Sequence, residues 1–212
     1  MSLAIGNCMT AAPFGAPIAS KEVSIVYVTE YDTGLIGKLT LGADENGLVG
    51  SWFNNDRYYL AGISEQLERD DSLPVFQQAT AWLDRYFAGA APNPTELPLA
   101  PRGTAFQQLV WRALADIPYG EVVTYGDVAT AVARAQGKRT SARAVGGAVG
   151  RNPLCVIVPC HRVIGASGSL TGFGGGIPCK IALLEHEGVD TSQFKVPTKG
   201  TAIKGKENQL PW

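Results

Sequence analysis

The residues with the most chemistry in them lie in one run, Val158-Pro159-Cys160-His161-Arg162-Val163-Ile164. A cysteine next to a histidine pairs a nucleophile with a base. A free thiol titrates near ~8.5, so at neutral pH only a few per cent is thiolate, and a base or a cationic neighbour must activate it. His161 is the candidate base, and Arg162 with the basic residues before it is the candidate cationic setting. Adjacent side chains on an extended strand point to opposite faces. Pro159 has no N–H and interrupts a ladder, so a turn, or an intervening water, would have to connect Cys160 to His161. The competing reading is a buried cysteine beside a surface histidine. With only His161 and His186 as histidines and no Cys-x-x-Cys pair, the spacing argues against a closed zinc site, and no metal or cofactor is called for.

A second run, Ser141-Ala142-Arg143-Ala144-Val145-Gly146-Gly147-Ala148-Val149-Gly150, reads as a helix with two internal glycines. Each costs about 1 kcal/mol relative to alanine. Close helix packing is one explanation. The other is a helix face stripped of bulk that enters a narrow groove, with Arg143 as its single long projection, since an inserted arginine is a known way to deform DNA. Gly168, Gly172, Gly174, Gly175 and Gly176 surround Thr171 and Phe173. They lack the strand-then-helix context of a dinucleotide fingerprint. A flexible pocket wall with Phe173 as an exposed stacking ring and a plain surface loop both fit. Glu187 is either a solvated charge or the group that holds His161 in one tautomer, as the third member of a triad does.

These groups need a scaffold. Residues 23–29, 35–41 and 48–53 read as short strands of an antiparallel meander, and residues 75–87 as a helix carrying Val75, Ala79, Trp82, Leu83 and Tyr86 on one face. The proline-rich stretch 89–103 reads as a linker. Thr104 then caps a helix with Phe106, Leu109, Val110, Ala113 and Leu114 inward, which Ile117-Pro118-Tyr119-Gly120 ends. Helices over 125–135 and 141–149, joined by Gln136-Gly137-Lys138-Arg139, suggest a helix-turn-helix. Residues 155–158 read as a strand with Cys155 in the core, and a last helix runs from near Pro178 to Gly188. The expected division is an extension over 1–20, an α/β domain over 21–88, the linker 89–103, a domain over 104–189 and a lysine-bearing tail over 190–212.

The net charge of −1 conceals a partition. Residues 1–100 carry 5 Lys/Arg against 12 Asp/Glu, whereas residues 101–163 carry 8 against 3. A basic middle segment suits an anionic partner. The chain has no run of 18 apolar residues, and Pro13 and Pro17 interrupt the apolar stretch of its first twenty, so neither a membrane span nor a signal peptide is expected. Four scattered cysteines fit a reducing, cytoplasmic setting better than a disulfide scaffold.

Taken together, Pro159-Cys160-His161-Arg162-Val163, Ala142-Arg143-Ala144-Val145-Gly146-Gly147-Ala148, Asn152-Pro153 and His186-Glu187-Gly188 resemble the O6-alkylguanine-DNA alkyltransferases, with Ile117-Pro118-Tyr119-Gly120 and Thr124-Tyr125-Gly126 adding to the match. The resemblance covers residues 102–188. It implies an α+β fold, with a small antiparallel-sheet, ribonuclease H-like domain followed by a mostly helical domain holding a winged-helix-like helix-turn-helix. It implies a monomer that flips an alkylated guanine out of duplex DNA and takes the alkyl group irreversibly onto Cys160, once per molecule, with O4 of thymine left open as a second site. By the same resemblance, His161 deprotonates Cys160 through a water, Glu187 orients His161, Tyr125 protonates the leaving base and Asn152 pins the turn before the active-site strand. Val163, Gly174, Phe173 and Val149 would form the base pocket. Arg143 would fill the vacated stack, with Ala142, Ala144, Gly146, Gly147, Arg151 and Thr124 against the minor groove. Some relatives carry a serine where this chain has Gly174, which removes a hydroxyl, and the segment Ala135–Arg139 is a few residues longer than in some relatives. A lesion sensor that binds without repairing is the alternative, and the presence of Cys160 counts against it.

Overall fold

The computed structural model describes residues 24–54 and 56–196; the expected N-terminal extension and most of the expected tail lie outside them. Strands β1 (Ile25–Asp32), β2 (Lys38–Asp44) and β3 (Gly47–Phe53) form the expected antiparallel meander. The β2–β3 turn requires glycine at 47: φ is +130°, and a Cβ there would lie 2.1 Å from the Pro98 carbonyl oxygen. A fourth strand, β4 (Gln66–Arg69), joins β1 in parallel, so the sheet is mixed, with order β3-β2-β1-β4. All four residues of β4 are exposed, so no apolar alternation marks the strand in the sequence.

Helix α1 (Pro74–Phe87) starts with proline at its first position, where no N–H is needed, and buries Phe76, Ala79, Trp82, Leu83 and Tyr86. Phe76 takes the place expected of Val75. Asn93 caps a single helical turn at Pro94–Glu96, and the chain then hydrogen-bonds β3, Leu48 N–H to Pro98 O at 2.8 Å and Ala100 N–H to Leu48 O at 2.8 Å. The stretch read as a linker is thus fastened along the front sheet.

Helix α2 (Ala105–Ala115) opens with a reciprocal cap between Thr104 and Gln107 and buries Val110, Trp111 and Leu114. A two-residue strand β5 (Val123–Thr124) leads into α3 (Tyr125–Gln136), capped by Thr124 and Asp127 and stopped by Gly137 in the left-handed conformation. Ser141 caps α4 (Ala142–Val149), which completes the helix-turn-helix. Strand β6 (Val163–Ile164) pairs in parallel with β5, and α5 (Gly176–His186) begins two residues before Pro178.

Residues 155–158, expected as a strand, form tight turns. Val156 has φ +72°, and the Ile157 N–H reaches back to Cys155 O at 2.9 Å. A β-branched residue in that region costs on the order of 1–3 kcal/mol and persists only where its surroundings fix it. Here Val156 is fully buried, and the front sheet holds the segment: Ser51 N–H donates to Pro153 O at 2.7 Å and Cys155 N–H to Ser51 O at 2.9 Å. One continuous core runs through both halves, from Leu41, Phe76 and Trp82 to Trp111, Val145 and Leu183.

Candidate active site

Cys160 emerges from this turn by a second tight bend. Pro159 has φ −79° and ψ 64°, the Cys160 N–H bonds to Val158 O at 2.8 Å, and Cys160–Arg162 then form one short helical turn. The chain therefore does turn at Pro159. Asn152, buried, holds the bend from inside, its Nδ2 donating to Val158 O at 2.8 Å and its Oδ1 accepting from Leu154 N–H at 3.1 Å.

His161 and Glu187 meet in the interior. His161 Nε2 lies 2.6 Å from Glu187 Oε1, and His161 is wholly buried. Burial lowers the pKa of the imidazole, against the pull of Glu187, so His161 is a neutral ring. A neutral ring facing a carboxylate carries its proton on Nε2, which leaves Nδ1 as the acceptor. That Nδ1 has no hydrogen-bond partner among the described residues. Glu187 accepts from four further donors: Tyr86 Oη at 2.7 Å, Arg162 Nε at 2.8 Å, Arg162 Nη2 at 3.0 Å and Gly120 N–H at 3.0 Å. Although burial opposes ionisation, the hydrogen bonds from His161 and Arg162 and the Arg162 charge hold its carboxyl well below the usual range, so it is ionised.

The cationic neighbour of Cys160 is not Arg162. That guanidinium is consumed by Glu187, by Ile117 O at 2.5 Å and by the Tyr119 ring. Lys180, on α5, is instead wholly buried, and its ammonium donates to the carbonyls of Val163 and Thr171. Burial pulls its pKa down to about 8, and Cys160 pulls it back up. The Cys160 thiol is lowered overall: hydrogen bonding from the Cys155 thiol leads, with the Asn152 amide and the Lys180 charge adding, against burial and Asp56.

Tyr125, at the start of α3, donates to Thr171 O at 3.0 Å, and burial raises its pKa to about 12, so it is protonated at neutral pH. Its ring lies beside Gly146, but a Cβ there would be 3.7 Å from the ring, an ordinary contact, so packing on Tyr125 does not by itself demand glycine at 146. Arg143 is exposed and makes no hydrogen bond among the described residues; Ala142, Ala144 and Gly147 are exposed beside it. Arg151 folds back, Nη1 to Gly147 O at 3.0 Å, and covers the Tyr58 ring. The Thr124 hydroxyl is taken by its cap with Asp127.

Two pocket residues differ from expectation. Phe173 is not an exposed stacking ring: it is buried, edge-on to Phe53 at 5.6 Å and to His161 at 6.4 Å. Val149, 2% exposed, is part of the core. Val163 is buried too, with its carbonyl turned to Lys180, while Gly174 is half-buried. Sequence reasoning missed Lys180 and Tyr86. The i, i+7 inward spacing from Ala79 placed Tyr86 in the core, but nothing local pairs it with a residue a hundred positions on.

A buried neutral imidazole and, next to it in the chain, a thiol of lowered pKa, with a helix-turn-helix among basic residues, define a cysteine site of the kind found in proteins that act on DNA. Residues 105–189 match the model of the 6-O-methylguanine DNA methyltransferase DNA-binding domain, and residues 26–101 that of its ribonuclease-like domain. The Haemophilus influenzae methylated-DNA–protein-cysteine methyltransferase is 38% identical over 189 residues, spanning 89% of this chain and 96% of the relative. The crystal structure of Mycobacterium tuberculosis OGT in complex with DNA superposes with a TM-score of 0.65 and 41% identity, over 80% of this chain and 94% of that one. The O6-methylguanine-DNA methyltransferase of Pyrococcus kodakaraensis follows at a TM-score of 0.56 and 28% identity, over 77% and 99%. The chain belongs to the 6-O-methylguanine DNA methyltransferase family.

Proposed function

We propose that Cys160 is the alkyl acceptor in the DNA repair reaction of this family, and that it accepts once. The observation that supports this is a pair of features in one buried segment: His161 Nδ1, on the next residue, has no partner among the described residues and can accept a proton, and Cys155 and Lys180 favour the thiolate that remains. The proton passes from Cys160 to Nδ1 through a water, and Glu187 steadies the resulting imidazolium. Cys160 Sγ attacks the O6-alkyl carbon in line; the S–C bond forms, the C–O bond breaks, and guanine leaves with its charge quenched by a proton from Tyr125. A thioether has no easy return to a thiol, so each molecule is spent.

Cys160 lies inside the fold, so the damaged base must leave the stack to reach it. The exposed Ala142-Arg143-Ala144 face of α4, with Gly147 beside it, suits a minor groove entered by small residues, with Arg143 filling the space vacated by the flipped base. The protein acts as a monomer, and its three described cysteines, all free thiols, suit a reducing cytoplasm.

The test is the mass of the protein after incubation with a duplex containing O6-methylguanine. A gain of about one methylene mapped to Cys160, absent in Cys160→Ser, is expected. Binding without modification would instead make the protein a lesion sensor.

A further inference from the structure

Gly174 has a neighbour from the other half of the molecule. A Cβ built on it would lie 2.1 Å from Oδ2 of Asp56 and 2.8 Å from Oδ1. Asp56 follows β3 in the front domain, in a succession of turns running to Ile63. Its carboxylate is fixed on one side by the Tyr58 N–H at 2.8 Å, and its Oδ2 is 3.9 Å from Cys155 Sγ, the thiol behind Cys160. Arg151, at the end of α4, covers the Tyr58 ring at 5.4 Å, which fastens this turn to the DNA-binding half. The space that a residue-174 side chain would occupy is therefore filled by a carboxylate from elsewhere in the chain.

We propose that Asp56 is a positioning residue of the Cys160 site, supplied by the front domain: it stands where a side chain at 174 would stand, and its negative charge restrains the nucleophile. The inference rests on Cys160 being the reactive thiol. Five groups face that thiol. Lys180 on α5, the Cys155 thiol and the Asn152 amide favour the thiolate, and Asp56 disfavours it; Tyr125 on α3 stays neutral and has its own ionisation opposed by Cys160. His161 is the neutral base of the pair with Glu187. Among the described residues, Asp56 is thus the one acidic side chain set against Lys180 at the nucleophile. Its own pKa is raised, since burial outweighs the hydrogen bond from Tyr58.

The test is the pH dependence of Cys160 carboxamidomethylation by iodoacetamide, followed by mass mapping on the full chain. In this reaction the thiolate forms the S–C bond and iodide leaves, with no DNA required. Asp56→Asn is expected to move the midpoint of the rate profile to lower pH and to raise the rate below that midpoint about three- to tenfold, leaving the high-pH plateau within about twofold. A role limited to packing would change the plateau or the melting temperature but not the midpoint. Gly174→Ser supplies the second arm. Its side chain evicts the carboxylate, so it moves the midpoint in the same direction, and Asp56→Asn/Gly174→Ser moves it no further. A midpoint that stays put or rises in Asp56→Asn overturns the proposal, and so do additive shifts in the double variant. Absence of methyl transfer from O6-methylguanine duplex, with the iodoacetamide shift intact, would instead remove the repair chemistry assigned to Cys160 and leave Asp56's restraint standing.

Discussion

The acidic front half and the basic back half divide their labour differently from what their charges suggest. Every motif with chemical content lies in the back half, between Thr124 and Gly188. Yet the pair at the centre of that chemistry receives a hydrogen bond from Tyr86 on α1, and the turn that delivers Cys160 is fastened to Ser51 on β3. Asp56 comes from the same side. The front half touches none of the reacting atoms in the proposed step, but it sets where they stand. Charge partition therefore marks which half meets phosphate, not which half builds the site.

The comparison breaks most severely at its shared centre. Glu187→Gln leaves the Arg162 guanidinium buried without its counter-charge, which costs about 3–5 kcal/mol. It also unfixes the His161 tautomer, and methyl transfer should fall on the order of a hundredfold or more in single-turnover assays on duplex DNA. Arg143→Ala belongs to the back half alone. It should slow transfer from duplex at least about tenfold while leaving reaction with free O6-benzylguanine within about threefold, because only the duplex needs a base displaced. Equal losses on both substrates would remove its role in flipping.

Lys180→Met keeps the length of the side chain and removes the charge. The midpoint of the Cys160 rate profile should rise, with the rate at pH 7 down about tenfold, as expected for losing a cation near a thiolate. Tyr86→Phe tests the front half's reach: losing one hydroxyl bonded to a carboxylate should cost about 1.5–3 kcal/mol of stability and slow transfer only a few fold. Acid provides the gentlest probe. Because the folded pKa of Glu187 is lowered, its stabilisation is complete above its unfolded value, about 4.3, and fades as pH falls below that. Thermal melts of wild type and Glu187→Gln should therefore differ most above pH 5 and converge in stronger acid.

Much of the back half was legible because its signals are contiguous. Thr104 announces a helix start, Gly137 a turn between two helices, and Pro159 a bend, each through backbone chemistry confined to a few residues. Residues 155–158 misled because a short apolar run reads alike as strand or buried turn, and a valine at positive φ opposes every local preference. β4 was illegible because it is an exposed, polar strand defined only by its pairing with β1. Lys180 takes the part expected of Arg162: the cation close to Cys160 in sequence turns to Glu187, and one twenty residues on turns inward. Which of two nearby cations is buried depends on the packing of α5, and no spacing rule reveals it.

The fastening of β3 has one more consequence. A sheet's outer strand usually exposes unpaired N–H and C=O groups to which another chain can add. Here the chain around Leu99 covers one end of β3 and the turn before Cys160 covers the other. The opposite edge, β4, is four residues long and carries Glu68 and Arg69. The sheet thus presents no long bare margin, and the bend that aims the nucleophile also guards the fold against edge-to-edge aggregation.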